Sequence, residues 1–429
     1  MDFVPLGKLL TESKIESKTP DPDRRIRVKL NVKGVEKRPL IKSIKGATKY
    51  FIRKKGQFIY GKQNLFKGAF GIVPEELDGF ESTSDIPAFD VDNSCNPEWI
   101  YYCLKHNNFF ESLVKYATGT GSRRIHPKKL FKEEIPLPSR DIQDKIIIRF
   151  KLHEGYSNKL LNNIKFNNNY ISKLRQAILS EAIQGKLVPQ DPNDESASVL
   201  LEKIKSEKPN LMKLKKIRKD KPFKHLDESE FPYPLHSNWK WVRFNDIVAL
   251  RRGASPRPIK NFITTSNEGV NWIKIGDTGN SKYVTSTNER VTQAGAERSV
   301  FVSKGELIMS NSMSFGRPYI LKIDGCIHDG WLSISFSTDL LDIDFLYYLL
   351  SAQQAYYEEM AKGTGARNLN INKVAEMPVP LPPLNEQKRI VEKIDQLMQL
   401  CDQLESQVKE NQKNSEALMN SVLREAFEI

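Results

Sequence analysis

Cysteine is scarce: four residues in 429, at Cys95, Cys103, Cys326 and Cys401. No two are spaced like zinc ligands, and the six histidines do not complete a set, so no metal site is expected. A reducing, cytoplasmic compartment fits this usage best. Long apolar runs are also missing. The densest is Phe345 to Leu350, far short of the roughly 18 residues of a membrane helix. The start, Met1-Asp2-Phe3-Val4-Pro5, has no basic segment followed by an apolar one, so no secretory signal is read. Catalytic signatures are absent too. There is no GxxxxGK[ST] phosphate loop and no Asn/Asp-Pro-Pro-aromatic tetrapeptide of the amino-methyltransferases; Pro382-Pro383 is followed by Leu384. Two Gly-Thr-Gly turns lack the third glycine and the preceding strand of a dinucleotide site, and read instead as tight turns or close backbone packing. His328-Asp329 has no recognisable partner ligands and reads as loop or core. These absences point to a binding protein, not an enzyme.

What the chain does contain is one stretch that occurs twice. Gly119-Thr120-Gly121, Arg123, Ile135-Pro136-Leu137-Pro138, Gln143 and Ile146 recur as Gly363-Thr364-Gly365, Arg367, Val379-Pro380-Leu381-Pro382, Gln387 and Ile390, at a constant offset of 244 residues. Alternating steps of four and three then run from Ile146 through Phe150, Ile164, Asn167, Ile171 and Leu174 to Ile178. From Ile390 they run through Ile394, Leu397, Cys401, Leu404, Val408 and Asn411 to Val422. Such steps keep residues on one narrow seam, which suits a helix paired with another helix. The shared Asn167 and Asn411 read as seam asparagines that fix register. Asp141 and Asn385 read as N-caps, each following an extended Pro-containing run. Each helix is then roughly 40 residues, about 60 Å. An internal repeat implies two similar halves and an approximate twofold relation.

The net charge of +13 and pI near 9.3 favour a polyanionic partner, most often nucleic acid. At 28% charged and 39% hydrophobic the chain is slightly polar for a globular protein, as expected if long exposed helices take up part of it. Residues 1–118 read as a mixed α+β unit. Its expected strands lie at Val28–Val32 and Gln57–Tyr60, and a helix after Pro97 carries Trp99, Tyr102, Cys103 and His106 on one face. Lys42, Lys45, Lys49, Arg53, Lys54, Lys55, Lys62 and Lys67 cluster there among Tyr50, Phe51, Phe58 and Tyr60, a mixture suited to phosphates with some stacking. Residues 119–188 are the first repeat. Residues 189–230 read as a basic, mobile linker with a short helix around Ser198 to Ser206. Residues 231–362 form the second unit, with strands at Trp272–Asp277 and Gly305–Met309, and residues 363–429 the second repeat. Trp241-Val242-Arg243-Phe244 echoes Phe3-Val4-Pro5-Leu6, Gly305–Ile308 echoes Gly56–Ile59, and Phe345–Leu350 echoes Trp99–Leu104. The scaffold repeats while the middles of the units diverge.

These residues resemble the specificity subunit of type I restriction-modification systems. The resemblance rests on Gly363–Ala366, on Val379-Pro380-Leu381-Pro382-Pro383-Leu384-Asn385-Glu386-Gln387 running into Ile390 and Ile394, on the matching first copy, and on Ala177–Leu179 with Gln184–Val188. It implies an α+β fold with two globular target-recognition domains separated by a pair of long antiparallel helices, a coiled coil. It implies a non-catalytic subunit that binds double-stranded DNA at a bipartite, asymmetric site, one half per domain. The implied partners are modification subunits, two of them, which bind S-adenosylmethionine and methylate adenine, and restriction subunits that use ATP and Mg; no cofactor is implied in this chain and no membrane. The sequence has Ser139-Arg140-Asp141-Ile142 where the second copy has Pro383-Leu384-Asn385-Glu386, a departure in the detail of docking. Base contacts do not transfer by resemblance. Candidate DNA-contacting residues are therefore Lys42 to Lys67 in the first unit. In the second they are Arg251, Arg252, Arg257, Lys260 and Lys274, with Ser310, Asn311, Ser312 and Arg317, whose amide and guanidinium forks match adenine and guanine. A protein-binding coiled-coil scaffold is the alternative reading.

Overall fold

The computed structural model describes residues 2–40, 48–119, 122–215, 217, 226–311, 316–354 and 371–427. It divides into two units, Met1–Ile164 with Asn411–Ile429, and Lys165–Glu410. Lys42, Lys45, Ser312 and most of both Gly-Thr-Gly turns lie outside the described residues. Gly119 is described, at φ 125°, and a Cβ there would sit 2.7 Å from the Ser122 carbonyl oxygen, so close backbone packing is its role.

The repeat is reproduced down to hydrogen bonds. The long helices run Arg140–Ile183 and Leu384–Phe427, 44 residues each, about 66 Å. Both begin two residues earlier than expected, so Asp141 and Asn385 lie inside the first turn. The carbonyls of Ser139 and Pro383 instead receive the N–H groups of Gln143 (3.0 Å) and Gln387 (2.9 Å). The shared glutamines, both fully buried, fasten each helix to the unit before it. The amide of Gln143 donates to the Pro138 carbonyl (2.8 Å) and accepts from the Asn96 N–H (2.7 Å). Gln387 does the same with Pro382 (3.0 Å) and the Asp342 N–H (3.0 Å). Asn96 and Asp342 in turn cap the shorter helices Pro97–Lys105 and Ile343–Ala352. His106 lies just past the first of these helices rather than on it.

The proline runs are strands, and each pairs antiparallel with the strand that opens its unit. Val4 lies opposite Ile135, and Val242 opposite Val379. A helical turn follows each opening strand, at Leu6–Leu9 and Phe244–Ile247. Next comes a sheet of matching order. In the first unit Leu10–Ser13 pairs with Ala88–Val91, which pairs with Phe58–Tyr60 and then Phe70–Ile72. In the second, Ala249–Arg252 pairs with Trp331–Ser335, then Leu307–Ser310, then Pro318–Leu321, with Tyr283–Val284 added at the edge. The inserted parts differ. The first unit has two small ladders, Ile26–Val28 with Val35–Lys37, and Tyr50–Ile52 with Glu81–Thr83. The second has a further five-stranded sheet, in the order Ile263–Thr264, Glu289–Val291, Val270–Ile273, Gly325–Ile327, Val300–Val302. The expected strand at Val28–Val32 is a hairpin turn, in which Asn31 and Val32 take positive φ and donate their N–H groups to Lys67 and Gly68.

The seam holds in part. Ile146 and Phe150 are buried in the first unit's core with Trp99 and Tyr102. Ile171, Ile178, Ile390, Ile394 and Cys401 are buried in the second unit's core. There the two helices run antiparallel. Arg175 meets Met398, Asp402 and Glu405, while Gln190 and Asp194, beyond the helix end, meet Glu386 and Arg389. Asn167 and Asn411 are exposed, so neither is a buried register residue. Leu174 and Leu404 are exposed as well, and the next residues, Arg175 and Glu405, face inward and pair with each other. The departure is local: Leu174 lies between the buried Ile171 and Ile178, where the half-buried Arg175 reaches Asp402 and Glu405 across the helix pair.

The expected linker helix is longer and better anchored. It spans Ala197–Leu214 and buries Ala197, Leu200, Leu201 and Ile204 in the second unit's core. It continues past Ser206, the expected end, and through Pro209, because those four residues and the Lys208–Asn245 contact hold it down.

Candidate nucleic-acid interface

The described members of the first unit's basic cluster are not all at the surface. Lys49, Lys54 and Lys67 are exposed; Lys49 pairs with Glu16 at 3.1 Å, and the Lys67 ammonium sits 5.8 Å from the Phe66 ring centre. Arg53 corrects the expectation. It is 1% exposed, and its guanidinium donates to Ser82 Oγ (2.7 Å), the Ser13 carbonyl (2.9 Å) and the Ile86 carbonyl (3.2 Å). Burial pulls its pKa down to about 10. It is a structural post rather than a surface cation. Phe58 and Tyr60 are equally buried, so their rings are core and offer no stacking. Tyr50 is occupied by Arg25, whose guanidinium lies 4.4 Å from its ring centre.

Folding brings other cations to Lys62. A cleft of about 420 Å³ has Arg53 on its lining together with Lys14, Lys62, Lys128, Glu12 and Phe51. Lys14 and Lys128 lie far from the cluster in sequence, and no local pattern marks them.

In the second unit the expected residues converge on one that sequence reasoning set aside. The Asp329 carboxylate accepts from the Ser255 hydroxyl at 2.7 Å, and that bond is the first cause holding its pKa below the usual carboxylate value. Its carbonyl accepts from Arg252 Nε (3.0 Å) and the Asn311 amide (3.3 Å), and the Arg257 guanidinium lies 3.7 Å from the carboxylate. Gly253 makes this approach possible, since a Cβ there would fall 2.0 Å from the His328 carbonyl oxygen. His328 is held by ring contacts with Trp272 and Trp331, and burial lowers its pKa. Arg257 and Lys260 are exposed. Ser310 and Asn311 are buried, which places them beneath the surface and not in the outward fork expected of them. Arg251 donates to the Lys215 carbonyl (3.3 Å), and Lys274 pairs with Glu289 (2.6 Å). Arg317 lies over Tyr319 and donates to Gly279 (3.2 Å) at one side of a polar cleft of about 680 Å³ that also takes in Arg175 and Glu405.

Among the described residues no group of His, Cys, Asp and Glu could hold a metal ion, and no helix is long and apolar enough to cross a membrane.

Residues 236–412 match the family model of the type I restriction modification DNA specificity domain. The chain is 29% identical over 249 residues to the type I restriction enzyme EcoEI specificity subunit of Escherichia coli, covering 55% of this chain and 41% of that one. It is 30% identical over 259 residues to the EcoAI specificity subunit of the same organism, with the same coverage. The match thus spans about two fifths of those relatives' length. The crystal structure of the HsdS subunit from Thermoanaerobacter tengcongensis shares the fold, with a TM-score of 0.57 at 16% identity over 99% of this chain and 96% of that one. The chain thus matches the type I restriction modification DNA specificity domain over residues 236–412 and is similar in sequence and fold to specificity subunits of such systems.

Proposed function

We propose that the chain is the DNA-reading subunit of a type I restriction-modification assembly, without catalysis of its own. One observation carries this reading: the same frame occurs twice, in matching register, and bears different inserted parts. A repeated mount suits two positions along one duplex, as half-site spacing does for dimers, and unlike inserts suit unlike half-sites. The site is then bipartite and asymmetric. Lysines and arginines supply salt-dependent grip, and base-edge contacts supply choice. Modification subunits carrying S-adenosylmethionine dock on the repeats, and restriction subunits bring ATP and Mg.

A second reading, a scaffold that binds proteins only, is favoured by Ile148, Leu152, Tyr156, Phe166 and Tyr170, which leave an apolar stripe exposed on the first long helix. The stripe is equally at home in the first reading, where partner subunits cover it.

Methylome sequencing with and without the gene, in a strain whose modification subunit is active, separates the two. Loss of adenine methylation at one bipartite motif is expected; an unchanged methylome defeats the proposal. Exchanging residues 231–362 for the corresponding segment of another specificity subunit is expected to rewrite one half of the motif and leave the other intact.

A further inference from the structure

Arg257, one of the arginines gathered at Asp329, has its side chain 83% exposed. An exposed arginine is ordinarily free to point anywhere, and reading a base requires that it point one way. Here one acidic partner lies beside it. Asp329 faces it at 3.7 Å. Asp329 is itself held by the Ser255 hydroxyl, two residues before Arg257, at 2.7 Å, and the N–H of Asp329 donates back to the same oxygen at 3.3 Å. The segment is tied again where Arg252 and Asn311 both donate to the Asp329 carbonyl. Gly253, which has no room for a side chain, presses the strand end against His328. A carboxylate on a surface meant for a polyanion repels phosphates. It is tolerable where it orients a neighbouring guanidinium whose fork then meets a base.

We propose that Arg257 reads a guanine in the half-site of the second unit, through O6 and N7, and that Asp329 is the positioning residue that aims it. The inference rests on the DNA-reading function proposed above. Arginine is the usual partner of guanine in the major groove, and the loss of such a fork changes discrimination at one base pair. Asp329 touches no base in this scheme; it acts through Arg257, with Ser255 holding it in place.

The test uses the full chain assembled with its modification subunits, and duplexes that carry the motif found by methylome sequencing. Each base pair of the second-unit half-site is substituted in turn, and the ratio of affinities for cognate and substituted duplex is measured. Arg257→Lys keeps the charge and loses the fork. It is expected to lower discrimination about 5- to 150-fold at one G·C pair, the range given by loss of a bidentate contact, and to leave the other positions and the first half-site unchanged. Asp329→Asn is expected to lower discrimination at that same pair, and to add nothing in the Arg257→Lys background. Melting temperatures of the variants show whether the fold is kept; where Asp329→Asn unfolds the unit, Ser255→Ala takes its place with the same expectation. If Arg257→Lys leaves every ratio unchanged, or Asp329→Asn alters a different base pair or both half-sites alike, the inference is overturned. If instead exchanging residues 231–362 rewrites no half-site at all, the DNA-reading proposal itself has failed.

Discussion

Gln143 and Gln387 show how much a single side chain can organise. Each is fully buried, and each satisfies a preceding proline carbonyl and one N–H that helix and loop geometry would leave open, Gln143 reaching the Ser94 carbonyl as well. Gln387→Ala removes both partners at once and strands buried polar groups. A loss of roughly 1–3 kcal/mol is expected by urea denaturation, and Gln143→Ala should cost a similar amount. Gln387→Glu tests the chemistry, because a carboxylate cannot donate to the Pro382 carbonyl. Arg53 belongs to the same class of buried polar post. In the sequence it stands among lysines and looks like one more surface cation. Only the three acceptors gathered from Ser13, Ser82 and Ile86 reveal its role, two on strands and one in a turn, all distant in sequence.

Among elements, the long helices have identical lengths and end points at the 244-residue offset, yet their buried lines depart from a strict heptad. Ile178 is 7% exposed and Leu174 is 44% exposed, although both sit on the seam drawn from sequence. Ile178→Ala is expected to cost about 2–5 kcal/mol and Leu174→Ala about 0.5 kcal/mol or less, by chemical denaturation of the full chain. Equal losses would show that Leu174 is packed as tightly as Ile178. Beside Leu174 and Leu404 the half-buried Arg175 and Glu405 pair across the two helices, a polar contact that a count of apolar periodicity does not mark.

For the whole molecule, the two units share a frame and differ in what is inserted. A third prediction belongs to this scale. One heptad added to the first long helix alone, after Ile164, should abolish methylation of the native motif in the assembled complex, measured by methylome sequencing. The same insertion made in both helices at equivalent positions should restore methylation at a motif with an altered spacer. Persistence of the native motif after the single insertion would mean the helices do not set the distance between half-sites.

The repeat, the paired helices, the extended proline runs and the α+β class follow from the sequence alone, because each depends on local periodicity, on glycine and proline, or on residues matched at a fixed offset. The expectation that the chain binds DNA follows from charge together with resemblance. Tertiary structure alone decided which cations are exposed, that Ser310 and Asn311 lie buried, that the helix Ala197–Leu214 buries four apolar residues in the core, and that Asp329 gathers Arg252, Ser255, Arg257 and Asn311. The reason is physical. Burial and hydrogen-bond partnership are set by strands distant in sequence, and a lysine or an aspartate has the same letter whether it faces water, a carbonyl or a phosphate.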